Sequence, residues 1–168
     1  MNVLIPGSFD PITLGHLNIV ERAAPMFEKV FVAVMNNDAG KYDKNLNSKV
    51  NMFTSEQRLD MVRLSVAHIP NVQAVYHSGR LVDFCSEHDI RAVIRGVRNA
   101  KDFEYEMIHA EWNMSHYPKA QALFMPADKK FDFISATAVR RIITENRSLS
   151  ELDGMLSDEV IEYIEKIR

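Results

Sequence analysis

Short apolar runs alternate with longer amphipathic stretches along most of the chain. Val3-Leu4-Ile5, closed by Pro6-Gly7, has the unbroken apolar character of a strand buried on both faces. Leu17, Val20, Ala24 and Phe27 then recur at helical spacing, which predicts a helix over 16–27. Val30 to Met35 is apolar and β-branched and predicts a second buried strand. From Asn36 to Asn51 the chain is polar and aperiodic, so a long loop is expected there. Thr54 and Gln57 have capping-box spacing and open a helix whose stripe is Leu59, Val62 and Val66. Beyond it the pattern predicts strands at 72–76, 92–94 and 122–125, and helices at 81–88, 102–116, 135–145 and 158–166. The last helix carries Val160, Ile161 and Ile164 on one stripe, with Ile167 just past it.

Strands alternating with helices imply a parallel sheet covered on both faces. The 168 residues are the length of one domain, and no repeat, low-complexity tract or linker divides them. The expectation is one α/β domain over residues 1–168: a five-stranded parallel sheet, helices on both faces and a helical C-terminal end. In such sheets ligands sit beyond the carboxyl ends of the strands. Chemistry is therefore sought in the loops after Ile5, Met35, Tyr76, Ile94 and Met125.

Composition narrows the classes. With 46% hydrophobic and 26% charged residues the chain is globular rather than disordered or fibrous. Its formal charge of −3 supplies no basic field for nucleic acid or an anionic membrane. Cys85, the single cysteine, can form neither an internal disulfide nor a cysteine zinc site, and reads as a small core residue. No apolar run approaches a membrane span, and the start lacks a basic n-region, so the expected location is the cytoplasm. His109-Ala110-Glu111 matches half of a zinc deaminase signature, whose other half needs two cysteines. His109 and His116 are seven residues apart, too far along a helix to share a metal, and no H-E-x-x-H or G-x-S-x-G occurs.

Three loops carry candidate chemistry. Pro6 to His16 lacks both G-x-G-x-x-G and the P-loop lysine, yet has the parts of a phosphate site. Gly7 permits close backbone approach, Gly15 clears the mouth of the next helix, and His16 stands in its first turn. Amides at that helix start favour an anion. The same residues also suit an ordinary turn and helix start. Arg95-Gly96-Val97-Arg98 puts two arginines where they can converge on a polyanion, although arginines are more often solvated. The acids from Asp102 to Glu106 suit the first turn of a helix. Ser135 and Thr137 suit either phosphate binding or helix capping.

Together these residues carry a resemblance. Thr13-Leu14-Gly15-His16 is similar to the T-x-G-H motif of the nucleotidylyltransferase superfamily, and Ile134-Ser135-Ala136-Thr137 with Arg140 resembles its second motif. With Pro-Gly-Ser-Phe-Asp-Pro, Met52-Phe53-Thr54, Ile-Arg-Gly-Val-Arg and Asp-Phe-Glu-Tyr-Glu, the chain resembles the bacterial phosphopantetheine adenylyltransferase family from Val3 to its final helix. The resemblance implies a Rossmann-like fold and transfer of the adenylyl group of ATP to 4′-phosphopantetheine, with Mg²⁺, giving dephospho-coenzyme A and pyrophosphate. It implies that Ser8 and Phe9 contact phosphates, Ser8 those of both substrates, and that His16 touches the ATP phosphates and stabilises the transition state. Lys49 and Arg95 would hold the attacking phosphate and Leu81 would line the pantetheine arm. Gly96, Val97, Arg98 and Glu106 would belong to the ATP site, with Phe131, Asp132, Phe133, Ile134, Ser135, Ala136 and Thr137. Lys49 is placed by counting back from Met52-Phe53-Thr54 in a loop longer than the family's; Lys41 and Lys44 are alternatives. Ala136 stands where a second serine is common, and the segment from Ala127 to Asp132 is one residue longer than usual. No metal ligand is assigned. The implied assembly is a homohexamer. The competing readings are a relative acting on another phosphate acceptor and a nucleotide-binding sensor without catalysis.

Overall fold

Val30, Val32 and Val34 are wholly buried in one core cluster, while Phe31 and Ala33 are buried in another. That alternation explains why the run is apolar at every position: a strand covered on both sides has no polar face. The same division sends Val3 and Ile5 one way and Leu4 the other. A computed structural model describes residues 1–36 and 50–168. Its strands are β1 (Asn2–Gly7), β2 (Lys29–Met35), β3 (Val72–His77), β4 (Ile90–Val97) and β5 (Gln121–Pro126). They form one parallel sheet in the order β3-β2-β1-β4-β5.

The α-helices are α1 (Leu14–Ala23), α2 (Ser55–Val66), α3 (Leu81–Glu87), α4 (Ala100–His116), α5 (Ala136–Thr144) and α6 (Asp158–Ile167). Side chains from α1, α2, α5 and α6 pack in the core with Val3, Val30 and Ile94, and those of α3 pack with Leu4, Phe31 and Val93. The Thr54 capping box forms as expected, with Gln57 N–H donating to Thr54 Oγ1 at 3.2 Å and Thr54 N–H to Gln57 Oε1 at 2.9 Å.

Most boundaries fall within two residues of the sequence pattern, and two depart further. The helix expected over 16–27 ends at Ala23 and continues as a 3₁₀ turn, Ala24–Met26, because Pro25 has no N–H for an α-helical ladder. The strand expected at 92–94 runs on to Val97, since Arg95, Gly96 and Val97 still pair with Phe124, Met125 and Pro126. Arg95 is thus a strand residue and Arg98 lies past the end. Helix α4 buries only Ala110 among its 17 residues, leaving Phe103, Tyr105, Ile108 and Trp112 exposed. Among the described residues, no helix is long and apolar enough to cross a membrane.

Candidate active site

From β1 the chain steps outward to β2 and β3, then crosses to the other side of β1 to lay down β4 and β5. Loops after β1 and β4 consequently leave the sheet in opposite directions and open a crevice between them, the usual ligand position in such sheets. The first and fourth loops singled out in the sequence meet there.

In the first loop Thr13 is the N-cap of α1. His16 occupies the capping-box position usually held by Glu or Gln. Its Nδ1 accepts the Thr13 backbone N–H at 3.1 Å, and its own N–H donates to Thr13 Oγ1 at 3.4 Å. With Nδ1 acting as acceptor, the neutral ring carries its hydrogen on Nε2, which is left as a donor. Desolvation in the cleft, reinforced by the nearby Arg98 charge, pushes the His16 pKa down to about 4. Phe9 is buried and stands edge-on to His16, ring centroids 5.3 Å apart. It does so at φ +44°, a conformation costly for an aromatic residue and concentrated at functional sites.

Gly7 serves this turn: a Cβ there would lie 2.8 Å from the Phe9 ring. At Gly96 a Cβ would come within 3.2 Å of Ile19 on α1, so this glycine fits strand to helix. The close approaches expected of a ligand at these glycines are made by the protein's own side chains. Gly15 faces Thr13 Oγ1 and the Cβ of Phe131, which brings the fifth loop over the mouth of α1.

Behind the loop lies a buried polar lattice. Asp10, wholly buried, accepts the backbone N–H groups of Met52 and Phe53, each at 3.0 Å. Arg140 Nη1 donates to the Asp10 carbonyl at 2.7 Å and stands 3.6 Å from its carboxylate, while Nη2 donates to Thr137 Oγ1 at 3.0 Å. Arg58, 1% exposed, donates from Nη1 to the Ser8 carbonyl and from Nη2 to Asn36 Oδ1, both at 2.6 Å. Burial lowers its pKa against the pull of Asp10, and the guanidinium remains charged. Arg58 was not among the sequence candidates. Its signal lay in helical phase: it shares a face with the buried Met61, Val62 and Ser65 at i+3, i+4 and i+7.

In the fourth loop each arginine is held by an acid of α4. Arg95 Nε donates to Glu106 Oε2 at 2.5 Å, and its Nη1 donates to the Pro6 carbonyl at 3.1 Å. Arg98 Nε donates to Asp102 Oδ2 at 2.8 Å. Asp102 also stands in the first helical turn, as its sequence position suggested. Arg95 and Glu106 border a mainly apolar pocket whose far wall is Leu81, Val82 and Cys85 of α3. His109, Ala110 and Asn113 continue the α4 side of it. Burial pushes the Cys85 thiol up to about 12, which keeps it protonated and unreactive, in line with a packing role.

In the fifth loop, the Val97 carbonyl accepts Ala127 N–H at 2.8 Å, tying the ends of β4 and β5 together. Phe131 closes a 3₁₀ turn, Lys129–Phe131, with the Lys130 ammonium 4.7 Å over its ring. Asp132 follows as its C-cap, Phe133 is exposed and Ile134 is buried in the core. Ser135 caps α5, its Oγ accepting Ala138 N–H at 3.1 Å, and Ala136 is the first helical residue. Both Ser135 and Thr137 accept a hydrogen bond, and among the described residues their O–H groups have no acceptor. Ser8, Phe9 and His16 thus share one loop and helix mouth, Leu81, Arg95 and Glu106 share the pocket, and Arg98 links to His16 electrostatically. Lys49, with Lys41 and Lys44, lies outside the described residues.

A crevice at the switch point of a parallel sheet, lined by a helix mouth, a histidine and two braced arginines, suits transfer of a nucleotidyl group between phosphates. The family model described as cytidylyltransferase-like matches residues 4–142, and the chain belongs to that family. A phosphopantetheine adenylyltransferase of Haemophilus influenzae (strain PittEE) is 42% identical over 151 residues, 90% of this chain and 91% of its own length. One from Dictyoglomus turgidum is 39% identical over 142 residues, 84% of this chain and 83% of its own. Among solved structures, Plasmodium falciparum nicotinic acid mononucleotide adenylyltransferase complexed with NaAD superposes with a TM-score of 0.64. That match is 16% identical and covers 99% of this chain and 95% of the other, a likeness of fold. Within the cytidylyltransferase-like proteins, the chain belongs with the phosphopantetheine adenylyltransferases.

Proposed function

We propose that the chain transfers the adenylyl group of ATP to 4′-phosphopantetheine, releasing pyrophosphate and forming dephospho-coenzyme A. The observation that carries this is the position of Arg95. It is bonded to the Pro6 carbonyl at the edge of the crevice and to Glu106 on the wall of the apolar pocket. A phosphate borne on a long, partly apolar arm would meet the nucleotide at that junction, with Leu81 against the arm.

In the reaction an oxygen of the acceptor phosphate attacks the α-phosphorus of ATP. The new O–P bond forms as the bond to the bridging oxygen of the β-phosphate breaks, and pyrophosphate leaves with the electron pair. An ionised phosphate needs no general base, so the protein's contribution is positioning and charge neutralisation. His16 Nε2–H, the α1 amides and the Ser135 and Thr137 hydroxyls supply donors for ATP oxygens; Arg95 takes the acceptor phosphate and Arg98 the nucleotide. Among the described residues no group of three His, Cys, Asp or Glu could hold an ion. We infer that Mg²⁺ arrives as Mg·ATP, bound through phosphates and water, as this ion prefers.

Self-association is part of the same reading. The exposed Phe103, Tyr105, Ile108 and Trp112 of α4 support a contact between copies; the finer expectation of a homohexamer rests on the resemblance.

The test is pyrophosphate release from Mg·ATP with 4′-phosphopantetheine and nicotinamide mononucleotide as parallel acceptors. Release with phosphopantetheine alone is expected. Release with the mononucleotide alone would overturn the acceptor and keep the chemistry, and silence with both in a chain that binds ATP would favour the sensor.

A further inference from the structure

The pocket face of α4 follows a helical phase: Glu106, His109, Ala110, Asn113 and Met114 line it in turn. Glu106 is occupied by Arg95. His109 is different. Its ring is half-buried and stands edge-on to Tyr105 at 4.7 Å, yet among the described residues neither ring nitrogen has a hydrogen-bond partner. A half-buried ring nitrogen with no protein partner is left to water or to a group of the ligand that fills the pocket.

The surroundings bear on which group that is. Arg95 and Val93 of β4, Glu106 and Asn113 of α4 and Cys85 of α3 line the same pocket, and Tyr105 stands edge-on to the ring. Burial lowers the His109 pKa, the Arg95 charge lowers it further, and Glu106 opposes them. The ring is therefore neutral at physiological pH, with one donor and one acceptor nitrogen. A neutral imidazole is a poor phosphate ligand beside a guanidinium, and a good partner for an amide or hydroxyl. It lies about 4.5 Å along the helix axis from Glu106, three residues at 1.5 Å each. That is one step down the arm from a phosphate seated on Arg95.

We propose that His109 is a specificity-determining residue, hydrogen-bonding an amide or hydroxyl on the arm of the acceptor. The inference rests on the adenylyltransferase reading above and deepens it. Phosphopantetheine carries one hydroxyl and two amides along its arm, and a site built to pair such a group discriminates against acceptors that lack it.

The test measures kcat and the two KM values for the parent chain, His109→Phe and His109→Gln, with thermal midpoints read first. Turnover of the parent with 4′-phosphopantetheine is the control, and its absence overturns the transferase reading and this inference together. With an active parent, His109→Phe should raise the KM for phosphopantetheine about tenfold, the worth of one hydrogen bond in a desolvated site, and leave kcat and the KM for ATP within about twofold. His109→Gln should restore most of the loss. Acidification below the ordinary histidine range should raise the acceptor KM more in the parent than in His109→Gln, because protonation removes the acceptor nitrogen. An unchanged or lowered acceptor KM in a folded His109→Phe overturns the role of His109 alone. Should that variant not fold, His109→Leu is judged by the same figures.

Discussion

Desolvation and then the Arg98 charge hold the His16 ring neutral, and protonation would also place a hydrogen on Nδ1, where Thr13 donates its backbone N–H. Capping and ligand binding thus fall to different nitrogens of one ring, and substitutions separate them. His16→Gln keeps a capping-box residue and should unfold in urea close to the parent. His16→Ala should lose about 1 kcal/mol with the cap. In His16→Ala, kcat should fall by about 100-fold or more with the KM for ATP little changed, as for a donor that acts on developing charge. Normal turnover in that variant would remove His16 from the mechanism. The ring should titrate near pH 4 by NMR, against 6.5 for an ordinary histidine. Between those values the unfolded chain binds a proton that the folded one refuses. The stability that this neutral His contributes is therefore full above pH 6.5 and declines as pH falls toward 4, a slope that His16→Gln should flatten.

Helix α2 shows what a binary pattern conveys and what it hides. Its Thr54 capping box was legible because Thr and Gln are the usual pair; the equivalent box at Thr13 was not, because His fills the Gln position. The strands were legible because apolar runs leave few alternatives, and their ends were not, because Arg95 continues a ladder that its charge argues against. Ser135 was read as either a cap or a phosphate ligand, and its geometry is that of a cap with a spare O–H. Arg58 was hidden because a charged residue among polar neighbours reads as solvent-facing, whereas here the guanidinium joins the first loop to the end of β2. Arg58→Met should cost about 3 kcal/mol in urea unfolding, since the charge-assisted bonds to Ser8, Met35 and Asn36 are lost and their acceptors are orphaned. Arg58→Lys, which can reach one acceptor, should cost less. Equal stability of all three chains would reduce Arg58 to filler.

At the scale of the molecule, the apolar side chains left outside α4 bear on assembly. If copies meet there, Ile108→Glu, a charge placed at the most exposed of them, should lower the solution mass by light scattering while leaving the fold intact. An unchanged oligomer would move the contact elsewhere. A different consequence follows from Asp10. It gathers Met52, Phe53 and Arg140, and its contact with Arg140 spans 130 residues of chain. Contacts of such long range carry a large loop-closure entropy and are slow to form. The first loop is thus tied to α5 by a contact that cannot exist until that helix has docked. A polypeptide lacking α5 would carry every residue of its T-x-G-H motif and keep the Met52 and Phe53 bonds to Asp10, but not the guanidinium that holds the loop from the other side.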